Sequence, residues 1–385
     1  MREVRGAQEA RQSLSLLILP GDGIGPEVTE AARRVLEQAA ARVGCRLKVE
    51  EGLIGGAAYD QEGHPVSEAT LQRAQEADAV LLGAVGGPRY DTLPPAHRPE
   101  RGLLALRAAL GVYANLRPAR CFPALLHNSP LKESLIAGAD LLFVRELIGG
   151  IYFGQPSVVE GEGESRLGYD TMRYSVSEIK RVAAIAFQLA AKRSGRLTSV
   201  DKANVLSSSR LWRETLESLA PNYPTVTLEH IYVDNCAMQL TTAPSRFDVL
   251  VTGNLFGDIL SDEAAALTGS LGLLPSAALG EGAGLYEPVH GSAPDIAGRG
   301  IANPIAAVLS AALLLRWSAG QGPAAAAIER AVELSLDQGL RTADIYTGAA
   351  GEREVGTKEI TDAICAALDQ DALWERGEAE VRRDV

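Results

Sequence analysis

The sequence predicts an α/β fold built on a largely parallel sheet, and three observations carry that expectation. Short apolar segments of strand length alternate with longer segments of helical periodicity. Glycine and proline punctuate the joins between them. At 385 residues the chain is longer than one core usually supports, which predicts two lobes.

The elements follow in order. Residues 16–19 read as a strand ended by the turn PGDG at 20–23, and their apolar run is too short for the core of a secretory signal. Residues 26–43 have helical spacing, with Val28, Ala31, Ala32, Val35 and Leu36 on one face and Pro26 suited to the first turn. A strand at 46–51, a helix at 67–75 and a buried strand at 79–84 complete this βαβ rhythm. Residues 140–144 read as a strand, and 160–164 as a Gly/Glu-rich loop or projecting hairpin. A long amphipathic helix at 177–193 precedes a strand at 197–200 and the polar turn 201–204. The buried strand 247–252 leads through a glycine-rich turn into a helix from about Asp258. Helices at 304–315 and 324–336 follow, and the charged tail after Asp369 reads as frayed.

Composition narrows the function. A hydrophobic fraction of 46% and a charged fraction of 22% are those of a globular protein, which excludes disorder through most of the chain. The net charge of −12 repels phosphate backbones, so nucleic acid is not an expected partner. An anionic substrate must then be drawn in by a local group of arginines or lysines. The four cysteines form no C-x-x-C pair and read as reduced thiols of a cytoplasmic protein. No apolar stretch reaches eighteen residues, so no membrane association is expected.

The sharpest motif is DILSD at 258–262, after VTGNLFG at 251–257. On a helix, Asp258 and Asp262 lie at i and i+4 and share a face. Paired hard oxygens without His or Cys suit Mg²⁺ or Mn²⁺. The plain alternative is a helix-terminal acid beside a solvated one, but delivery by an apolar strand and a glycine turn is the usual arrangement of an α/β site. A third acid, Asp234, sits where an apolar run turns helical, and by itself reads as a helix cap. Arg107, Arg117 and Arg145 are candidates for bidentate capture of carboxylates. Arg145 lies in a strand that reads as buried, so it must be paired, with Glu146 the plain structural partner. Tyr152 and Lys202 are candidate proton carriers, provided that a nearby cation lowers their pKa values.

The glycines at 21–25 follow a strand and open a helix, as a phosphate loop does. Yet Pro26 stands where G-x-G-x-x-G needs its last glycine, and no P-loop occurs. In the second glycine-rich segment, EPVHGSAPDIAGRGIANP at 287–304, small residues allow a flat ligand to approach the backbone, and Asp295 can accept from ribose hydroxyls.

Together, GDGIGPEV, ERGLLALR, NLRP, VRELIGGIYFG, VDKANVL, YVDNCAMQL, VTGNLFGDILSD, GSLGLLPSA and the 287–304 segment resemble the β-decarboxylating dehydrogenase family of the isocitrate/isopropylmalate type. They stand in the family's order from about residue 14 to 367. The resemblance implies a large mixed sheet flanked by helices and shared by two domains, not a Rossmann fold. One domain, 1–112 and 269–385, would bind NAD; the other, 113–268, would dimerise, carry the metal and catalytic residues, and project an arm near 151–172. Asp258 and Asp262, with Asp234 of the other subunit, would hold Mg²⁺ or Mn²⁺. Arg107, Arg117 and Arg145 would grip two carboxylates, with Asp234 also facing the substrate. Tyr152, and Lys202 from the second subunit, would handle protons. Glu100, Glu287, His290, Gly291, Ser292, Ala293, Asp295 and Asn303 would line the NAD site.

The chemistry so implied is oxidation of a 2-hydroxy diacid followed by loss of CO₂. Leu103 and Leu104 offer an apolar wall, which suits 3-isopropylmalate, a leucine precursor, and leaves a third carboxylate unpaired. Only this pocket separates that substrate from D-malate or tartrate. Asp295 would repel a 2′-phosphate, which favours NAD over NADP. Cys236, beside the metal helix, and Arg299, where Lys is common, are the departures from the pattern, and Cys236 is a candidate for oxidation sensitivity.

Overall fold

The computed structural model describes residues 10–371, 373 and 374; the charged segments 1–9 and 375–385 lie outside the described residues. The first elements are β1 (Ser13–Gly21), α1 (Gly25–Arg42), β2 (Arg46–Glu51), α2 (Gly55–Glu62), α3 (Glu68–Glu76), β3 (Ala79–Ala84) and α4 (Pro99–Leu110). The middle holds β4 (Val112–Arg120), α5 (Glu133–Ile136), β5 (Asp140–Glu146), β6 (Ser157–Glu160), β7 (Leu167–Asp170), α6 (Val176–Lys192), β8 (Arg196–Asp201) and α7 (Ser207–Leu219). It continues with β9 (Thr227–Tyr232), α8 (Val233–Thr242), β10 (Val249–Thr252) and α9 (Asn254–Thr268). The last part is β11 (Pro275–Gly280), β12 (Gly284–Pro288), α10 (Ile305–Trp317), α11 (Gly322–Asp337), β13 (Leu340–Arg341), β14 (Arg353–Glu354) and α12 (Thr357–Leu368).

Ten strands form one sheet in the order β2-β1-β3-β12-β11-β4-β5-β10-β8-β9. The expected parallel pairing holds on both flanks, among β2, β1, β3 and β12 and among β5, β10, β8 and β9. The centre is antiparallel, from β12 through β11 and β4 to β5. The chain crosses into the second half of the sheet at β4 and returns at β11, so both ends of the described chain belong to the first half.

Strand alternation distributes the core to two faces. On one face a single apolar layer runs the length of the sheet, joining α1 and α10 to α6 through Leu81, Tyr286, Leu116 and Val144. On the other face the core is split. One cluster gathers Leu82, Leu106 and Leu285 under α4, and another gathers Phe143, Leu240 and Leu260 under α8 and α9. The candidate catalytic residues rise from the sheet between these two clusters.

Several expectations change here. The helix expected from about Asp258 begins at Asn254, because Gly253 is the extended residue that caps it and Gly257 is helical. Position 257 is glycine because a Cβ there would meet the Arg145 side chain at 2.7–2.8 Å. Asp234 is not the helix cap; Tyr232 holds that place and Asp234 lies in the first turn. The expected arm is a hairpin, β6 with β7, whose eight strand residues are all exposed. Of the tail read as frayed, Leu373 and Trp374 pack instead: Leu373 is buried and Trp374 Nε1 donates to Leu368 O at 2.9 Å. Among the described residues no helix is long and apolar enough to cross a membrane.

The first glycine turn is not an open phosphate loop. Ile24 N donates to Ser292 O at 2.8 Å, and a Cβ on Gly23, whose φ is +58°, would stand 1.9 Å from that oxygen. The turn is glycine-rich because it docks on the backbone of the 287–304 segment. Gly23→Ala combines left-handed strain with a backbone clash, and we expect it to destabilise by roughly 2–4 kcal/mol. A thermal midpoint unchanged by calorimetry would contradict this packing.

Candidate active site

The site begins at the central antiparallel pair. In β4, Asn115 and Arg117 point to the split face while Leu116 enters the continuous core; in β5, Arg145 points the same way as Arg117. Two guanidiniums, 8% and 2% exposed, therefore rise side by side and must be neutralised. Helix α9 does this. Arg117 Nη1 donates to Asp262 Oδ1 at 2.9 Å and to Ser261 Oγ at 2.8 Å, and its Nη2 lies 3.3 Å from Asp258 Oδ1. Arg145 Nη1 pairs with Asp258, and its Nε and Nη2 donate to Asn254 Oδ1 at 3.1 and 2.8 Å. Glu146, the expected plain partner of Arg145, faces the other way, toward Arg181 at 3.5 Å.

The Tyr152 hydroxyl donates to Asp258 Oδ2 at 2.9 Å. Burial pushes the Asp258 carboxyl up, but Arg145, Arg117 and the Tyr152 hydroxyl outweigh it and hold the group below the ordinary carboxylate range. Burial raises Asp262, and Arg117 only partly offsets it. Burial and then Asp258 raise the Tyr152 phenol, so in this arrangement it keeps its proton and can act as an acid. Burial and the neighbouring Arg117 lower Arg145 to about 10, while Asp258 opposes them. Both electrostatic balances include the charge of Arg107, which reaches the cluster from α4.

Arg107 Nη2 donates to Glu287 Oε1 at 2.7 Å in a pair that is nearly buried, so Glu287, expected in the cofactor set, braces Arg107. Glu100, Leu104 and Arg107 recur along one stripe of α4. Leu103 sits at the edge of that stripe, packed on the core. Glu100 reaches toward Gly86, where φ is +105° and a Cβ would lie 2.9 Å from Oε1.

Lys202 and Asp234 are brought together, but elsewhere. Lys202 Nζ donates to Asp234 Oδ1 at 2.6 Å, and that bond holds the Asp234 carboxyl low. Among the described residues no hydrogen bond or ion pair joins them to Asp258 or Asp262, and no three acids of one chain gather as metal ligands. Behind Lys202, buried Asp201 accepts from Arg213 Nε and Nη2 at 3.0 and 2.9 Å and from Ala203 N at 2.8 Å, which fixes the turn.

The expected cofactor segment forms the loop between β12 and α10. His290 Nδ1 lies 2.9 Å from Gly291 O, its Nε2 is buried without a partner, and Ala293 adopts a left-handed φ of +36°. Asn303 is anchored by Asp344 at 3.0 Å, and Asp295 is exposed. A cleft of about 560 Å³ runs between Gly23, Gly86, Gly87, Pro294 and Asp295. Buried Asp22 shapes it by accepting from the amides of Gly56, Ala57 and Gly86, each at 2.8 Å.

Sequence reasoning missed Asn254, which also donates to Leu147 O and Gly149 O, and Tyr174, whose hydroxyl accepts from Asn254 N at 2.8 Å. Asn254 lies inside the sharpest motif and was legible there; Tyr174 carries no local signal. Cys236 is fully buried and its thiol is pushed up to about 12 by burial, so it is inert rather than oxidation-sensitive. All four cysteines are unpaired.

Fold and cluster together define a dehydrogenase class. The chain belongs to the isocitrate/isopropylmalate dehydrogenase family, whose family model matches residues 15–364. It is 57% identical over 358 residues to a protein of Pseudomonas putida named 3-isopropylmalate dehydrogenase, covering 92% of this chain and 99% of that one. A protein of the same name from Aquifex aeolicus is 54% identical over 355 residues, covering 92% and 97%. Among solved structures, isocitrate dehydrogenase from Methylococcus capsulatus matches with a TM-score of 0.81 at 35% identity, covering 93% of this chain and all of that chain. A β-decarboxylating dehydrogenase from Thermococcus kodakarensis matches at 0.75 and 33%, covering 92% and 96%.

Glu146 sets a pH dependence of stability. Burial raises its carboxyl to about 7 from an ordinary 4.5, against the opposing amides of Gly149 and Ile148. The folded chain thus binds this proton more tightly than the unfolded chain, so the contribution of Glu146 to stability falls as pH rises from about 4.5 through 7. We expect the stability of Glu146→Gln relative to the parent to increase over that window. Urea midpoints from pH 5 to 8 that keep a constant difference would refute this.

Proposed function

We propose that this chain catalyses the NAD-dependent oxidative decarboxylation of 3-isopropylmalate to 4-methyl-2-oxopentanoate and CO₂, in leucine biosynthesis in the cytoplasm. The observation that carries the reading is the convergence on α9 of two carboxylates, two buried guanidiniums and the Tyr152 hydroxyl. The relatives that bear the name 3-isopropylmalate dehydrogenase support it.

The donor set fits a hard divalent cation: Asp258 and Asp262 share a helix face, and Arg145 and Arg117 keep Asp258 ionised. Mg²⁺ or Mn²⁺ held there with Asp234 of the second subunit would acidify a chelated 2-hydroxyl. The orphaned His290 Nε2, the small residues Gly291, Ser292 and Ala293, and the neighbouring cleft fit a dinucleotide, which supplies the hydride acceptor. Glu100, Asp295 and Asn303 complete its site, and Asp295 selects NAD against NADP by repelling a 2′-phosphate. Arg107, Arg117 and Arg145 orient the two carboxylates of the substrate. Lys202 takes the hydroxyl proton. After CO₂ leaves, Tyr152 returns a proton to carbon. Leu103 and Leu104 receive the isopropyl group and exclude water.

The reading includes a homodimer with shared sites and two domains divided where the chain crosses at β4 and β11. Among the described residues of one chain no hydrogen bond or ion pair joins Lys202 or Asp234 to Asp258, which supports a second copy bringing them in. Exposed Met238 on α8, Ile259 on α9, and Val159 and Leu167 on the hairpin supply apolar surface for that contact.

NADH absorbance with NAD, Mg²⁺ and 3-isopropylmalate should give a rate that EDTA abolishes and that far exceeds those with D-malate and isocitrate. A higher rate with D-malate would overturn the role of Leu103 and Leu104. A Lys202→Ala protein and a Tyr152→Phe protein should each be nearly inactive, while subunit exchange between them should restore about a quarter of the parental rate, because half the dimers then carry one intact site. No recovery in dimers that demonstrably exchange would rule out shared sites.

A further inference from the structure

On the continuous face of the sheet, away from the catalytic cluster, a cavity of about 360 Å³ opens between α6 and the pair α10 and α11. Leu116 and Pro118 of β4 and Leu142 of β5 form its floor, and Leu189, Leu309 and Leu313 its walls. The volume, and a lining that joins apolar side chains to six charged ones, are those of a small-molecule site. Four cations line it, and three are already neutralised. Arg193 lies 3.2 Å from Asp140 and 2.5 Å from Asp248, Arg120 lies 2.7 Å from Glu333, and Arg316 lies 2.7 Å from Glu329. The fourth, Lys192, is half-buried at the last turn of α6 and has no ion pair or hydrogen bond among the described residues.

We propose that this cavity is a second ligand site, for an amphipathic monocarboxylate whose aliphatic body lies on the leucines and whose carboxylate meets Lys192. A dicarboxylate such as the proposed substrate would leave one charged group on the apolar floor, so this is not a second substrate site. Its occupancy bears on catalysis through β4. Leu116 and Pro118 floor the cavity while Arg117, between them, holds Asp262 on the opposite face. The walls come from helices that pack on different halves of the sheet, α6 on the strands of the second and α10 on those of the first. A wedged ligand therefore loads the same strand segment that aims Arg117.

The test is calorimetric titration of the full-length protein with octanoate, octanol and octylamine. Octanoate should bind at one site and octylamine roughly tenfold more weakly. Leu313→Trp, which fills the cavity, should abolish octanoate binding. Lys192→Glu should weaken octanoate roughly fivefold and leave octanol unchanged, and it keeps the test intact should Leu313→Trp fail to fold. Equal binding of octylamine and octanoate, or parental octanoate affinity in both variants, would overturn the site. The rate effect rests on the proposed reaction: saturating octanoate should shift kcat or KM of the parent roughly twofold and leave Leu313→Trp unmoved. Octanoate that binds without moving the rate overturns the coupling alone. A protein that binds octanoate but does not turn over 3-isopropylmalate overturns the proposed reaction alone.

Discussion

Two buried guanidiniums at the antiparallel centre of the sheet govern the rest of this molecule. Arg117 and Arg145 stand on adjacent strands with almost no access to water, and each cation so placed costs several kcal/mol unless paired. Both carboxylate partners come from α9, which fixes where that helix starts and how closely it lies on the sheet, while Asn115 of β4 accepts from Arg117 Nε at 2.8 Å. Gly257 lets the backbone of α9 rest against the Arg145 stem, Asn254 takes two of its donors, and Tyr174 holds Asn254. Removing one carboxylate would strand a buried charge, at a cost of about 3–5 kcal/mol. The same pairing keeps Asp258 ionised, so the constraint that stabilises the fold also sets the charge of the carboxylate proposed to bind a metal.

The distribution of apolar residues explains why the site is where it is. One face of the sheet carries an unbroken core and ties the two halves together. The other face carries two separate cores, and polar side chains fill the interval between them. A cleft with polar walls thus needs no special loop; it follows from β4 and β5 sending Ala114, Leu116, Leu142 and Val144 into the continuous layer while Asn115, Arg117 and Arg145 face the interval. Relative movement of the halves would open or close this interval while bending the continuous layer behind it.

Much of this was legible in the chain. In the first third β1, α1, β2, α3 and β3 follow from the sequence pattern, because buried parallel strands read as short apolar runs, whereas α2, with its GGAAYDQE sequence, was not read from it. Asp258, Asp262, Arg117, Arg145 and Tyr152 were identified as residues, and the structure brings all five together. Their mutual geometry was not legible: the plain partner of Arg145 looked to be its neighbour Glu146, whereas strand alternation sends the two to opposite faces. The start of α9 was misplaced because Gly253 and Gly257 look alike in sequence, and only the underlying Arg145 distinguishes a capping glycine from a packing one. The glycine turn after β1 looked like a ligand loop, since a backbone that receives another backbone and one that receives a phosphate need the same residue. A long-range partner such as Tyr174 leaves no local trace.

The double crossing of the chain has a consequence for its birth on the ribosome. The strands β4 to β10 are contiguous, so their half of the molecule emerges complete and can collapse as it is made. The first half cannot. β3 must wait about two hundred residues for β12, and α1 about three hundred for α10 and α12. Until then α1 can lie on β1 and β3, but its own face toward α10 and α12 and the edge of β3 that pairs with β12 stay uncovered. The earliest-made segment is thus the last to be sheltered, and the nascent chain is most exposed to aggregation where its first strands are richest in leucine.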